Sequence, residues 1–479
     1  MDKAITGSAR PPKSAVARAF VIYLVAALCV IAAVLIKFLV MEKISTDFTA
    51  LSYLLFSVMV AVILLGHFIY VACSRSKLIE NRKTLRAIYT ALVLSIVANL
   101  FLERISAYLM PAMLAAFIVA TLSHGRDAFV ANIFSNVVVF FVLMTQNHFT
   151  DIDYYGVVSK FAQGLTAGSV VAYWISNDTR RLNFLFKGIA VCALSIGAVF
   201  AVTAAMGERH YSWMNLAFLA TGTFGQVIVA VILQPVLETA FNIVTNTRLV
   251  ELTDHNAPLI RRLREEAPGT FSHCLAVANF AEMCASAIGE NPYLARACAY
   301  YHDVGKLMNP QYFKENQGDV NPHDGLLPEV SAELIRSHSV DGKKLCDEYR
   351  IPKEISDVTI QHHGTLPIYV FYVKAKQLTD GEVDLSDYSY HGCTPVSKVA
   401  AIIMLCDSGE AAIRAMDNPN AERVDKLLRS LIGDRIQAGQ FDNCDITLRD
   451  LDVIRQTIMD AYGGQFHKRL RYPDGGSGR

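Results

Sequence analysis

The sequence predicts an all-α protein in two parts: a polytopic helical membrane domain, then a globular all-α domain with the residues of a metallohydrolase centre. Three observations predict it. The 479 residues are 53% hydrophobic and 18% charged, too apolar on average for an ordinary soluble chain. The apolar excess is confined to the part up to about Thr245, where runs long enough to cross a ~30 Å hydrocarbon core as helix follow one another. Beyond that point the chain turns charged and carries two ligand-rich strings, Ala299-Tyr300-Tyr301-His302-Asp303-Val304-Gly305-Lys306 and Thr359-Ile360-Gln361-His362-His363-Gly364-Thr365.

Eight spans are expected, at about 17–40, 49–73, 87–102, 107–123, 128–145, 156–175, 184–206 and 213–235. The loops orient them. Lys3, Arg10, Lys13 and Arg18 precede the first span, Arg75, Lys77, Arg82, Lys83 and Arg86 separate the second from the third, and Arg126 follows the fourth. Arg180 and Arg181 follow the sixth, and Arg248, Arg261, Arg262 and Arg264 follow the eighth, while an opposite loop holds Asp151 and Asp153. Cations therefore alternate as expected for eight spans with both termini in the cytoplasm of a bacterial inner membrane. Arg104, Lys160 and Arg209 are exceptions to the alternation. The first span follows a basic segment, as a secretory signal would, but its apolar core is long and no small-x-small site follows, so it reads as an uncleaved anchor.

Within the spans, His67, Asn99, Asn132, Asn136, Gln163 and Gln226 are read as helix-to-helix hydrogen-bonding groups rather than a pathway. No charged relay stands out at mid-membrane, as a proton-coupled transporter would show. Trp174 and Trp213 read as interfacial anchors near span ends. From Gln234-Pro235 onward, Val236, Leu237, Phe241, Val244 and Leu249 form a helical stripe, so a continuous or kinked helix is expected to run on past Arg248. The expected organisation is a cytoplasmic tail at 1–16, the membrane domain at 17–240, a helical linker at 241–265, the catalytic domain at 266–470 and a disordered Gly-rich tail at 471–479.

The ten cysteines are scattered with no CxxC pair and several inside apolar runs, so they read as buried or cytosolic free thiols and not as a disulfide framework or zinc knuckle. A net charge of zero gives no electrostatic ground for binding a nucleic acid polymer, so none is expected as a partner; the lipid bilayer is. A two-fold homodimer fits a signalling membrane protein, but no residue pattern marks an interface.

The globular half supplies the chemistry. His273 falls in a helix announced by Pro268-Gly269, His302 and Asp303 close a second helix, and His338 lies in a third after Ser331. His362 and His363 close a fourth, and Asp407 sits in the apolar stretch from Val399 to Cys406. One potential ligand per helix, converging on a bundle interior, is how all-α proteins build metal sites. Imidazoles and carboxylates suit two divalent transition metal ions, Fe or Mn among them, and a dinuclear pair needs one bridging group. Asp303 is chosen as that bridge, with His273, His302 and Asp407 on one ion and His338 and His362 on the other. His363 is either a further ligand or a group that contacts substrate, and spacing does not choose between them. Lys306, three residues past Asp303, is expected to place positive charge on a phosphate oxygen. An isolated His-Asp pair carries little weight, as His323-Asp324 in the same chain illustrates.

The ordered His, His-Asp, His, His-His and Asp set resembles the HD superfamily of metal-dependent phosphohydrolases. Glu266-Ala267-Pro268-Gly269-Thr270, Glu315-Asn316-Gln317, Asn321-Pro322-His323-Asp324 and Gln361-His362-His363-Gly364-Thr365 narrow the resemblance to the seven-transmembrane HD family, which includes cyclic di-AMP phosphodiesterases of the PgpH type. The resemblance implies a cytoplasmic α-helical HD domain, a dinuclear centre and hydrolysis of cyclic di-AMP to linear pApA. It implies the same ligands, His273, His302, Asp303, His338, His362 and Asp407, with His363 less secure. Ser272 departs from a pattern that often has a second His there, and only Met41 to Phe48 or so separates the first two spans, where family members carry a large extracytoplasmic domain.

Three function classes remain open to the sequence: a cyclic-dinucleotide phosphodiesterase, a hydrolase of another nucleotide, and a nucleotide-sensing membrane receptor without turnover. The complete set of expected ligands favours the enzymes over the receptor. No Gly-Tyr-Pro string stands near the centre, which disfavours cyclic di-GMP as the dinucleotide.

Overall fold

The computed structural model describes residues 12–38, 50–74, 76–146, 153–176, 178–207, 212–379 and 381–466. The loop Met41–Phe48, Asp151, Arg75, Arg209 and the tail at 471–479 lie outside them. The described residues are helical with no strand, and they divide into two compact units, Met1–Thr247 and Arg248–Arg479.

The first unit contains α1 (Lys13–Ile36), α2 (Ala50–Ser74), α3 (Ser76–Glu80), α4 (Arg82–Leu102), α5 (Leu114–Leu122), α6 (Gly125–Gln146), α7 (Tyr154–Ile175), α8 (Arg181–Ala205) and α9 (Trp213–Phe241). Six of these, α1, α2, α4, α6, α8 and α9, are long and apolar enough to cross a membrane. With α7, which has the length but carries Lys160 and Gln163, they make this a multi-pass membrane protein. Their outward faces expose Leu24, Leu28, Leu54, Phe186, Leu194 and Ile232, which polar solvent would not favour.

The fourth expected span requires correction. Instead of one helix over 107–123, the chain forms a 3-10 turn at Ala107–Leu109, breaks at Met110 and Pro111, and makes only the nine-residue α5. Almost every α5 side chain is buried, so the break lies inside protein, a setting in which irregular backbone is tolerated at membrane depth. The polar residues expected to join helices serve this break. Asn99 Nδ2 donates to the Pro111 carbonyl at 3.3 Å, Asn136 Nδ2 donates to the Ala112 carbonyl at 2.9 Å, and Gln226 Oε1 accepts from the Met113 amide at 2.9 Å. Gly156, Gly164 and Gly168 give α7 a small-residue face against Ala107, Asn136 and Asn132, where any Cβ would collide. Lys160, on that same face, is wholly buried.

The helix leaving the last span also differs from expectation. Pro235 is absorbed within α9, but Asn242 adopts φ 49° and ψ 56°, a left-handed cap that ends the helix, and α10 (Asn246–Leu252) starts afresh.

The second unit holds α11 (Pro258–Glu266), α12 (Pro268–Ile288), α13 (Pro292–Tyr301), α14 (Pro328–Glu348), α15 (Lys353–Ser356), α16 (Val358–Gln361), α17 (Tyr369–Leu378), α18 (Lys398–Arg414), α19 (Ala421–Gln437) and α20 (Leu448–Phe466). This unit begins ahead of the expected residue 266, because α11 buries Leu259, Ile260 and Leu263 and packs on α12. Helix α12 is central and packs against α13, α18 and α20. It is also as long and apolar as a span, yet it carries His273 in a globular unit.

Candidate metal centre

The expected ligands come from separate elements. His273 lies in the second turn of α12, His302 caps the C-terminus of α13, and Asp303 precedes a 3-10 turn, Val304–Met308. His338 lies in α14, His362 caps the short α16, and Asp407 lies in α18. Gly305 makes the convergence feasible: a Cβ there would collide with the His338 carbonyl, so only glycine lets the turn after Asp303 press against α14.

Three imidazoles are aimed by their own backbones. His302 Nδ1 is 2.7 Å from the Ala299 carbonyl, His338 Nδ1 is 2.5 Å from the Ile335 carbonyl, and His362 Nδ1 is 3.2 Å from the Val358 carbonyl. A carbonyl only accepts, so each Nδ1 carries a hydrogen, and a ring that is neutral turns the lone pair of its Nε2 inward. His338 Nε2 and His362 Nε2 face each other at 3.3 Å, and with both rings in that neutral form no hydrogen lies between them. Two lone pairs directed at one point call for a cation.

Asp303 lies between two such sets. Its Oδ2 is 3.3 Å from His302 Nε2 and 3.7 Å from His273 Nε2, whereas its Oδ1 is 3.3 Å from His338 Nε2 and 3.5 Å from His362 Nε2. His273, His302, Asp303 and Asp407 form one potential metal-holding group, and Asp303, His338, His362 and His363 form another, each with donor atoms within 4.8 Å of one another. His302 Nε2 and both Asp303 oxygens are buried without a hydrogen-bond partner. The Lys306 ammonium pairs with Oδ2 at 2.7 Å but lies off the direction that a hydrogen bond requires. Buried polar atoms are rarely left unpaired, and this donor set fits two divalent cations sharing Asp303.

The electrostatics agree. Burial alone would raise the Asp303 and Asp407 carboxyls, but the histidines around both, together with Lys306 beside Asp303, hold them well below the usual range. For His273 burial opposes the charged form, yet hydrogen bonds to Asp407 and Glu410 push it up to about 10. Burial, with neighbouring imidazoles adding to it, pushes His362 and His363 down. Without metal the site thus holds its carboxylates ionised and shares protons among its imidazoles.

His363 falls in the second group, with Nδ1 3.8 Å from Asp407 Oδ2 and its ring stacked on Tyr390 at a centroid distance of 4.2 Å. Lys306 Nζ also reaches Glu315 Oε1 at 2.8 Å. His323 stays out of the cluster. Sequence reasoning passed over Glu410, whose Oε2 is 2.6 Å from His273 Nδ1, and Tyr390. Glu410 follows Asp407 by three residues on one helix, a spacing that puts both carboxylates on one face and would have exposed it.

Two family models match the chain in order. Residues 48–245 match the 7TM receptor with intracellular HD hydrolase, and residues 270–412 match the HD domain. The cyclic-di-AMP phosphodiesterase PgpH of Bacillus subtilis (strain 168) is 40% identical over 315 residues, covering 65% of this chain and 44% of that protein. The chain belongs to the seven-transmembrane HD hydrolase family. Another member is similar over more of it: PgpH of Listeria monocytogenes serotype 1/2a (strain 10403S) is 35% identical over 408 residues, or 84% of this chain and 55% of the relative. The chain therefore spans about half the length of these curated relatives. The crystal structure of the L. monocytogenes PgpH HD domain in complex with cyclic-di-AMP is 43% identical, covering 45% of this chain and 100% of that one, with a TM-score of 0.43. Residues 37–49 separate α1 from α2 in this chain.

Proposed function

We propose that this protein is a membrane-bound, metal-dependent phosphodiesterase that hydrolyses a cyclic dinucleotide, cyclic di-AMP to pApA, on the cytoplasmic side of a bacterial inner membrane. The observation that carries the reading is Asp303 shared between two four-residue donor sets. Relatives that are 40% and 35% identical and are named cyclic-di-AMP phosphodiesterases supply the substrate class. The alternation of cationic loops supports the cytoplasmic placement.

His273, His302 and Asp407 would hold one ion, His338 and His362 the other, with His363 completing the second set and Asp303 contributing one oxygen to each. Two such cations, Fe or Mn by the mixed imidazole and carboxylate donors, would supply the charge that acidifies a water and offsets a phosphodiester's negative charge. The chain's own residues do the positioning. Carbonyls of Ala299, Ile335 and Val358 hold three rings in one tautomer. Glu410 orients His273, and Glu315 and Asp303 hold the Lys306 ammonium at the rim, 12% exposed, where it can meet a phosphate oxygen. Replacing hydration by fixed charges of this kind is how buried sites stabilise developing charge.

The test is turnover of cyclic di-AMP and cyclic di-GMP by the full-length chain in membranes, loaded separately with Mn and Fe, with Asp303→Ala as control. Metal-dependent formation of pApA, absent in the variant, is the expected result. Metal-loaded protein that cleaves neither dinucleotide would sink the reading and favour another nucleotide or a receptor role.

A further inference from the structure

A cavity of about 230 Å³ opens on the globular unit between the 3-10 turn Pro322–Gly325, the first turn of α14 and one face of α17. Its volume, below the ~300–1,000 Å³ of sites that take drug-sized ligands, suits a single heterocyclic base rather than a whole dinucleotide. Two residues of its lining carry polar atoms, His323 Nδ1 and Ser331 Oγ, that are buried and have no hydrogen-bond partner among the described residues. His323 is 8% exposed and Ser331 1% exposed, so these groups are held out of bulk solvent. Buried groups of this kind are costly to leave unpaired, which points to a ligand that pairs them.

The chemistry of the two atoms is defined. His323 Nε2 lies 2.9 Å from the Tyr312 carbonyl, which only an N–H satisfies, so in the neutral ring Nδ1 presents a lone pair. The ring is fixed between Tyr312, with centroids 5.3 Å apart, and Phe371, 5.0 Å apart. Ser331 Oγ donates or accepts, Asp324, Lys374 and Gln377 add polar groups, and Leu326, Phe371 and Leu378 supply the apolar part of the wall.

The cavity is close to the metal-binding cluster. Ser331 and His338 are seven residues apart on one face of α14, about 10 Å along the helix. One dipeptide reaches both places, since Tyr312 packs on His323 while the Phe313 ring lies 5.5 Å from that of His338.

We propose that this cavity receives one purine base of the substrate while a phosphate lies at the metal-binding cluster, and that His323 makes it prefer adenine. An acceptor at Nδ1 takes a hydrogen from the exocyclic amino group of adenine, whereas the carbonyl oxygen at the same position of guanine opposes lone pair to lone pair. The Ser331 hydroxyl donates to a ring nitrogen of the same base. A site built to pair with a particular group rejects an analogue lacking it far more strongly than an apolar pocket does. The proposal rests on the reading that the substrate is a cyclic dinucleotide, and it assigns His323 and Ser331 a specificity role.

The experiment measures equilibrium binding of hydrolysis-resistant phosphorothioate cyclic di-AMP and cyclic di-GMP to the metal-loaded full-length protein, to His323→Leu and to Ser331→Ala. Turnover of cyclic di-AMP and metal content are recorded alongside. His323→Leu is expected to weaken the adenine analogue about tenfold or more, to narrow its margin over the guanine analogue, and to raise KM more than it lowers kcat, at unchanged metal content. Because the Ser331 hydroxyl makes no hydrogen bond among the described residues, Ser331→Ala keeps the fold and should weaken the adenine analogue in the same direction. Wild-type binding of both analogues by both variants overturns the proposal, even where turnover by the parent protein upholds the phosphodiesterase. Conversely, binding that depends on His323 without turnover keeps the pocket and removes the enzyme. Absence of both binding and turnover overturns the two together.

Discussion

Glu410 Oε2 lies 2.6 Å from His273 Nδ1, so the histidine is held at one nitrogen while its Nε2 points toward Asp407 and Asp303. Glu410 is itself buried and paired with Arg414 one turn later on α18. A carboxylate behind a ligating imidazole fixes its tautomer and raises its basicity. Glu410→Gln is therefore expected to weaken metal binding at the His273 set by about 10–100-fold, with activity recovered at higher metal concentration. Metal titration of the variant followed by turnover checks this, and an unchanged affinity would reduce Glu410 to a packing role.

Asp303 is the residue on which both donor sets depend. Asp303→Ala removes an oxygen from each, so bound metal should fall below the parent's stoichiometry and turnover should vanish. Metal analysis and product formation measured on one preparation decide it. Activity equal to the parent's would refute the bridging role.

Lys306 should behave differently, because its ammonium is an ion-pair partner of Asp303 and Glu315 and not a metal donor. Lys306→Ala is expected to retain metal and to lose about 10²–10³ in kcat, the loss typical of removing one preorganised charge from a developing anion. The opposite pattern, protein stripped of metal, would make the lysine structural.

The residues of the two donor sets were legible as candidates because local rules place them. Pro268 opens α12, His302 and His362 fall at helix ends beside a glycine-bearing turn, and an apolar run around Asp407 announces a buried helix. What escaped notice depends on packing between distant segments. The three-residue spacing puts Glu410 on the face of Asp407, but the group it orients, His273, is brought to it from 137 residues away. Tyr390 reaches His363 only after the segment following α17 folds back, where the Ile368 amide donates to the Tyr388 carbonyl at 2.7 Å. In the membrane unit, hydropathy counts an apolar run as a span whether or not the helix is continuous. The break at Pro111 survives because Asn99, Asn136 and Gln226 take up its backbone groups, a relation no window average contains. The stop after α9 did have a local sign, since asparagine is one of the few residues that accept the left-handed conformation seen at Asn242.

Lys160 tests the same relation from the other side. It lies on the glycine face of α7 that packs against the broken segment, it is wholly buried, and its ammonium has no hydrogen-bond partner among the described residues. Gln163, one turn on, uses its amide nitrogen on Ser195 Oγ at 2.9 Å and leaves its oxygen unpaired. Burying a cation without a partner opposes folding, and a methionine of similar length would fill the space without that cost. Lys160→Met is expected to stabilise the detergent-solubilised protein by about 1–3 kcal/mol, seen as a higher melting temperature of the membrane unit. A lower melting temperature would mean that the ammonium holds the bundle together through a group supplied from outside the chain. An ionisable residue in that position would then be a site at which the membrane unit reads its environment.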